Sequence, residues 1–150
     1  MNILFVGMTG VYHPFVAAKL FTGEIKKTDY RIAISGLYEL EICGRPIFVG
    51  TDDMNNRVYV LGGGPDPAMA KTSIDQLVDI LGFSSADFIV KVVKIKHDLF
   101  LMRLFRLTHL LFFRRTIHSI ALWIVKKELQ TLEKQVLAFK SQLVCTASEQ

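Results

Sequence analysis

The sequence predicts an α/β fold, a single three-layer domain with a mostly parallel sheet, helices on both faces and one antiparallel β-hairpin. Two observations support this prediction. The chain opens with a buried apolar strand, Ile3 to Val6, which breaks at a short glycine-containing loop and leads into a helix. Afterwards, short β-rich runs alternate with segments of helical periodicity, as is typical of parallel strands joined by crossover helices.

The first half of the chain contains one helix and one clear hairpin. The helix is expected to have His13 at its cap position, Pro14 in its first turn, where a missing N–H costs nothing, and Gly23 at its end. Residues 24–44 are hardest to place, and could hold a short strand followed by a helical turn or a second strand. Two β-rich runs, RPIFVG and RVYVLG, flank the polar turn TDDMNN and predict a β-hairpin.

The second half is predicted to be mainly helical. Asp66 is expected to cap a helix over residues 67–80, which Gly82 closes. A strand, an amphipathic helix, an apolar strand and a last helix follow, over residues 87–96, 98–113, 117–125 and 128–143. Residues 1–144 would then form the domain and residues 145–150 a flexible tail. This order of elements is typical of Rossmann-like or P-loop-like folds.

Composition limits the classes of protein to consider. The chain has 150 residues, enough to bury a core without disulfides, and its mean hydropathy is +0.34. No apolar run in the sequence reaches the roughly 18–20 residues of a membrane-spanning helix, and the first residues do not resemble a signal peptide. Cys43 and Cys145 stand in no disulfide or redox motif, which fits a reducing compartment. We therefore expect a cytoplasmic protein.

The net charge of +4 is unevenly distributed. Residues 91–127 hold nine Lys or Arg and a single acid, Asp98, for a local charge of +8. On the predicted amphipathic helix, one arc carries Asp98, Arg103, Arg106 and His109, opposite a wide apolar face. This arc could dock an acidic partner or a membrane surface, or it could be the solvated side of a core helix. We expect no nucleic-acid role, because no recognition motif accompanies the charge.

The loop from Thr9 to His13 is the main candidate binding site. A helix N-terminus offers backbone N–H groups and a partial positive charge, which suit an anion. Gly7 and Gly10 would let a phosphate approach the backbone, and Thr9 and His13 could donate hydrogen bonds. Alternatively, the glycines only satisfy a turn and the histidine only caps the helix. If the chain is an enzyme, His13 is the best placed acid–base group, because its ordinary pKa lies near neutrality.

A second glycine-containing loop precedes the helix at 67–80. Gly63 and Gly64 could join the first site if the two strand ends are adjacent. A phosphate-binding P-loop is a poor match, because Pro65 and Ala70 occupy the required glycine positions. Lys71 would also lie inside the helix instead of over its mouth. A simple strand-to-helix turn is the favoured interpretation.

Two further features have both a functional and a structural interpretation. Asp52 and Asp53 could bind a metal or act as acid and base, but turn chemistry explains them better. No metal-site motif is present, and no cofactor can be named. The last helix carries a heptad seam that could pack on its own sheet or on the same helix of a second copy, giving a homodimer through residues 128–143. The seam consists of Leu129, Leu132, Val136, Phe139 and Leu143.

Several segments resemble domain of unknown function family 3189. The most specific is GRPIFVGTDDMNNRVYVLGGG at residues 44–64, followed by a helix ending in LVDILGF at residues 77–83. His13 followed by Val16-Ala17-Ala18 is similar to the family's opening segment, and Arg114-Arg115 also fits. The resemblance spans residues 2 to about 127.

The resemblance implies a small α/β protein of Gram-positive, largely spore-forming bacteria. It also implies small hydroxyl residues directly after the histidine, where this chain has Pro14 and Phe15. It implies no activity, because the family has none assigned. We therefore predict binding of a small phosphorylated or otherwise anionic ligand at the 7–13 loop, with a non-enzymatic interaction module using the 98–113 helix as the alternative. An open mouth would favour the ligand, and a loop plugged by Tyr12 or Phe15 the interaction module.

Overall fold

The computed structural model describes residues 1–24, 44–84, 87–107 and 114–147. The described part contains four strands and five helices. In chain order they are β1 Asn2–Gly7, α1 His13–Phe21, β2 Ile47–Thr51, β3 Arg57–Gly62, α2 Pro67–Ile80, β4 Phe88–Val92, α3 Asp98–Leu107, α4 Arg114–Lys127 and α5 Leu129–Ala147. The elements considered for residues 24–44 fall almost wholly outside the described residues, as does the end of the predicted helix 98–113.

The strands form one mixed sheet in the order β2-β3-β1-β4. β1 lies between β3 and β4 and is parallel to both, whereas β2 pairs with β3 in the antiparallel direction. The α/β class and the hairpin are therefore confirmed. The sheet is mixed, however, and the prediction of a mostly parallel sheet is wrong, because the hairpin adds an antiparallel edge strand to a core of only three parallel strands.

Alternate residues of β1 face opposite sides of the sheet. Ile3 and Phe5 belong to the main core cluster, together with buried residues of α1, α3, α4 and α5. The Phe5 ring meets Phe21 of α1 and Phe139 of α5 edge-on, with ring centroids 5.5 and 5.8 Å apart. Leu4 and Val6 face the other side, where partly buried residues of α2 pack on them.

The segment predicted as a strand over residues 117–125 is helical, as part of α4. Its buried residues are Ile117, Ala121, Ile124 and Val125, and their spacing of four, three and one places them on one helical stripe. Ile120 and Trp123 lie exposed between them. Because these two exposed side chains are apolar, the segment has the continuous apolar pattern of a buried strand. Over so short a run, periodicity cannot distinguish such a strand from a helix.

The other helix predictions hold with smaller changes. Gly23 and Gly82 both have φ of +75° just beyond α1 and α2, as the predicted helix ends require. The heptad seam of α5 packs on the protein's own core, with Leu132, Val136 and Phe139 buried. α5 reaches Ala147, so helical structure enters the segment predicted as a tail. Within the described ranges, no helix combines the length and apolar character needed to cross a bilayer.

Candidate functional site

The imidazole of His13 lies over the end of β1. A methyl group at Gly7 would come within 2.5 Å of His13 Nε2 and 2.4 Å of Pro14 Cγ. Glycine is therefore needed here for close approach, because any side chain would displace the ring. The strand end and the first turn of α1 together bury His13 completely.

His13 occupies the first position of α1, and Tyr12 is the N-cap residue. The predicted capping role of His13 is therefore wrong. The Tyr12 side chain does not cap the helix, and Pro14 fills the first turn as expected. Because the imidazole does not serve the helix start, its two nitrogens need another explanation.

His13 faces Asp98, the first residue of α3. Nε2 of His13 lies 2.9 Å from Oδ1 of Asp98, and both side chains are almost completely buried. The two atoms are at ion-pair distance but do not meet the geometry of a hydrogen bond. Asp98 is thus the inward-facing acid of a basic segment, and its predicted place on the solvated arc with Arg103 and Arg106 is wrong. Both arginines are exposed as predicted.

Contacts on both sides hold Asp98 in place. Its Oδ2 accepts a hydrogen bond from the N–H of Ile95 at 3.3 Å. The preceding residues are tied to the last helices, since Gln135 of α5 donates to the Lys94 carbonyl at 2.7 Å. Nδ1 of His97 also lies 3.1 Å from a carboxylate oxygen of Glu128, between α4 and α5. These contacts hold residues 93–97, which we call the braced loop, and so fix the Asp98 carboxylate beside His13.

Four buried polar atoms at this place have no hydrogen-bond partner among the described residues: Thr9 Oγ1, both ring nitrogens of His13 and Oδ1 of Asp98. Leaving a buried polar group unpaired costs about 1–3 kcal/mol. Such groups are rare in native proteins and require an explanation where they cluster. We refer to Thr9, His13 and Asp98 together as the buried polar centre.

The loop over this centre is closed by its own side chains. Tyr12 and Phe15 are buried, and the Tyr12 ring lies 6.4 Å from Phe105 of α3 and 6.1 Å from His118 of α4, between ring centroids. Gly10 packs against β3 so closely that a Cβ would lie 2.8 Å from the Gly62 nitrogen. No open mouth is formed by the loop, which is the outcome expected for an interaction module.

The second glycine-containing loop lies beside the first, because the Gly63 N–H donates to the Gly7 carbonyl at 2.7 Å. It does not take part in the buried polar centre. A Cβ at Gly63 would meet Val6 and the start of α2, and Gly64 adopts a φ of +70° in open space. Asp66 caps α2 by accepting from the Met69 N–H at 3.0 Å, as predicted.

Two other sequence candidates also have structural roles. Lys71 forms an ion pair with Asp75 on the surface of α2, away from the loop. Asp52 organises the hairpin turn by accepting from the N–H groups of Met54 and Asn56 at 3.0 and 2.8 Å. No cluster of three or more His, Cys, Asp or Glu occurs in the described ranges.

The pairing of His13 with Asp98 was missed from the sequence. One signal could have pointed to it: Asp98 is the single acid among nine bases in residues 91–127. An acid in such a segment is well placed to meet a histidine from elsewhere in the chain. The distance along the chain between the two residues hides the contact from any local pattern.

Among the comparisons with known proteins, the match is to a protein family. No curated protein and no solved structure matches the chain. The model of the family described as "Protein of unknown function (DUF3189)" matches residues 2–141, which extends beyond the resemblance over residues 2 to about 127 and includes the whole of the buried polar centre. The chain is therefore a member of the DUF3189 family.

Proposed function

We propose that the buried polar centre binds a small phosphorylated or otherwise anionic ligand and that His13 is its acid–base group. The observation that carries this proposal is a pair of buried polar atoms beside the N-terminus of α1, Thr9 Oγ1 and His13 Nδ1, that have no hydrogen-bond partner among the described residues. Donors from Thr9 and His13, together with the positive end of a helix, are suited to an anion.

The chemistry of His13 follows from its partner. An ionised Asp98 favours the tautomer with hydrogen on Nε2, the nitrogen 2.9 Å away, and leaves Nδ1 as a base. When the ring takes up a second proton, Nδ1 becomes a donor to an anion while Asp98 balances the positive charge. Asp98 would then position and stabilise His13 without touching the ligand. This division of roles also keeps the carboxylate away from a negatively charged guest.

Because the closed loop is the outcome expected for an interaction module, the ligand proposal requires movement of the Thr9–Tyr12 segment to admit a guest. Tyr12 and Phe15 are buried, and Gly10 packs on the end of β3. Tyr12 does not cap α1 with its side chain. Such movement would let the amides of this segment exchange hydrogen, while those of β1, which is paired on both sides, stay protected.

A thermal-shift screen with inorganic phosphate and common nucleotides tests the proposal. A ligand at about 100 times its Kd stabilises the folded state by about 2.7 kcal/mol, which raises the melting temperature measurably. His13→Gln should abolish this rise. The matched control is His97→Gln, since His97 directly precedes Asp98 but half of its side chain is exposed to solvent.

The proposal is contradicted if no anion raises the melting temperature of the wild-type chain. Equal stabilisation of the His13→Gln and wild-type proteins would also contradict it, because the ligand would then bind elsewhere. Hydrogen exchange on a responding ligand should in addition show slower exchange of the Thr9–Tyr12 amides.

Three finer points remain part of this proposal. The three-layer, Rossmann-like or P-loop-like arrangement is supported by helices on both faces of the sheet. A cytoplasmic location and a single domain over residues 1–144 rest on the sequence alone. A homodimer through residues 128–143 would have to use the outer side of α5, because its seam is occupied by the chain's own core.

A further inference from the structure

The exposed side of α3 combines apolar and basic residues. Leu99, Phe100 and Leu107 are each about half exposed, and Arg103 and Arg106 are exposed between them. Their spacing of three and four residues places them on one helical stripe. The opposite side, with Leu101 and Leu104, is buried in the core.

The exposed side of α4 repeats this combination. Trp123 is 56% exposed, Ile120 is 41% exposed, and both are followed along the stripe by exposed Lys126 and Lys127. The Lys127 ammonium lies 3.7 Å from the centroid of the Trp123 ring. The stripe exists because residues 114–127 form a helix. In the buried strand that the sequence predicted, Trp123 would not be exposed.

The two helices pack against each other and present a uniformly basic charge. The single acid on α3 or α4 is Asp98, whose carboxylate is buried against His13. Glu128 follows α4 but lies beside His97, with a largely buried side chain. The exposed stripes therefore carry four cations and no exposed carboxylate: Arg103, Arg106, Lys126 and Lys127.

We propose that these exposed stripes of α3 and α4 dock on the surface of an anionic phospholipid membrane. Such a surface accepts apolar side chains at the boundary of the acyl chains and basic groups among the headgroups at the same time. Tryptophan, lysine and arginine are the residues typical of this boundary. Each cation near an anionic leaflet contributes about 1 kcal/mol of attraction.

The arrangement favours a membrane over an acidic protein. The five large apolar side chains alternate with the cations along the exposed sides of two helices. A protein partner is usually held by a groove or by a central apolar patch with a charged rim. The cavity of about 230 Å³ between α2 and β4 lies elsewhere and includes Asp75 and Asp79 in its lining.

The fluorescence of Trp123, the single tryptophan of the chain, gives the most direct test. Vesicles of phosphatidylcholine with added phosphatidylserine should shift its emission to shorter wavelength, and vesicles of phosphatidylcholine alone should not. Added salt should reverse the shift, because the attraction is electrostatic. No shift with either vesicle, or an equal shift with both, would overturn the proposal.

Sedimentation with the same vesicles identifies the residues involved. Arg103→Glu/Arg106→Glu should lower binding roughly 25-fold or more, at about 1 kcal/mol for each lost cation. The matched control, Arg45→Glu/Arg57→Glu, makes the same change of net charge at exposed positions on and near the hairpin, and should change binding little. An equal loss in both variants would show that net charge alone attracts the protein and would overturn the proposal.

Trp123→Ser tests the apolar contribution, with Ile80→Ser on α2 as its control. Ile80 is 81% exposed, Trp123 is 56% exposed, and neither belongs to a core cluster. Trp123→Ser should weaken vesicle binding several-fold and Ile80→Ser should not. If the protein instead binds poly-glutamate tightly and vesicles not at all, the surface recognises an acidic protein and the membrane proposal is wrong.

Discussion

The two loops that follow β1 and β3 look similar in sequence but differ in how their polar groups are satisfied. Each follows a parallel strand, contains glycine and leads into a helix with proline in its first turn. The loop before α2 has a side-chain cap from Asp66, and its glycines fit a turn. The loop before α1 has no side-chain cap and covers two buried polar atoms, Thr9 Oγ1 and His13 Nδ1, that have no hydrogen-bond partner among the described residues. In the structural loop the polar groups are hydrogen-bonded locally, whereas in the candidate site some buried polar groups have no hydrogen bond.

The largest effect is expected from Gly7→Ala. The new methyl group would meet Pro14 Cγ at 2.4 Å and His13 Nε2 at 2.5 Å, and both rings are buried. We expect the free energy of unfolding to fall by about 3 kcal/mol, measured by urea denaturation. Gly64→Ala in the other loop serves as control, because a Cβ there meets nothing within 4 Å and its cost comes only from the left-handed backbone.

A loss nearly as large is expected from Asp98→Ala. This change leaves His13 buried beside an empty space and removes the acceptor of the Ile95 N–H, 3.3 Å from Oδ2. The free energy of unfolding should fall by about 2 kcal/mol. Asp98→Asn retains an acceptor for Ile95 and should recover part of the stability while still impairing anion binding. Wild-type anion binding by Asp98→Asn would show that His13 does not depend on the carboxylate.

A smaller loss is expected from Asp66→Ala in the structural loop. The carboxylate accepts the Met69 N–H at 3.0 Å, and loss of an N-cap costs about 1 kcal/mol. Binding at the buried polar centre should be unchanged, as measured by the same anion thermal-shift assay. A loss of anion response in this variant would mean that the two loops act together.

Local patterns predicted the parts of the fold that local interactions determine. The hairpin follows from its turn residues, α2 from Asp66 and Gly82, and the buried seam of α5 from its heptad spacing. The helical structure of α4 was missed, because Trp123 and Ile120 are apolar and yet exposed. Exposed apolar residues break the relation between an apolar pattern and burial.

The sequence predicted only the part of the candidate site that lies within one segment of the chain. Gly7, Thr9 and His13 are consecutive features of one strand–loop–helix segment, and the sequence placed them together. Asp98 begins α3, the helix after β4, and its pairing with His13 depends on the order β3-β1-β4 within the sheet. The closure of the loop by Tyr12 likewise depends on α3 and α4, which no local pattern could supply.

The most direct test of the contrast between the loops is the sign of the stability change in Thr9→Val. Thr9 Oγ1 is buried without a partner among the described residues, so an apolar side chain of the same shape should raise the free energy of unfolding by about 1 kcal/mol. Thr22→Val is the matched control, because the buried Thr22 donates to the Lys19 carbonyl at 3.2 Å and its loss should be destabilising. The account predicts opposite signs for the two variants and a weaker anion response in Thr9→Val. A destabilised Thr9→Val would show that the hydroxyl already has a structural partner, and would contradict the assignment of a site at this loop.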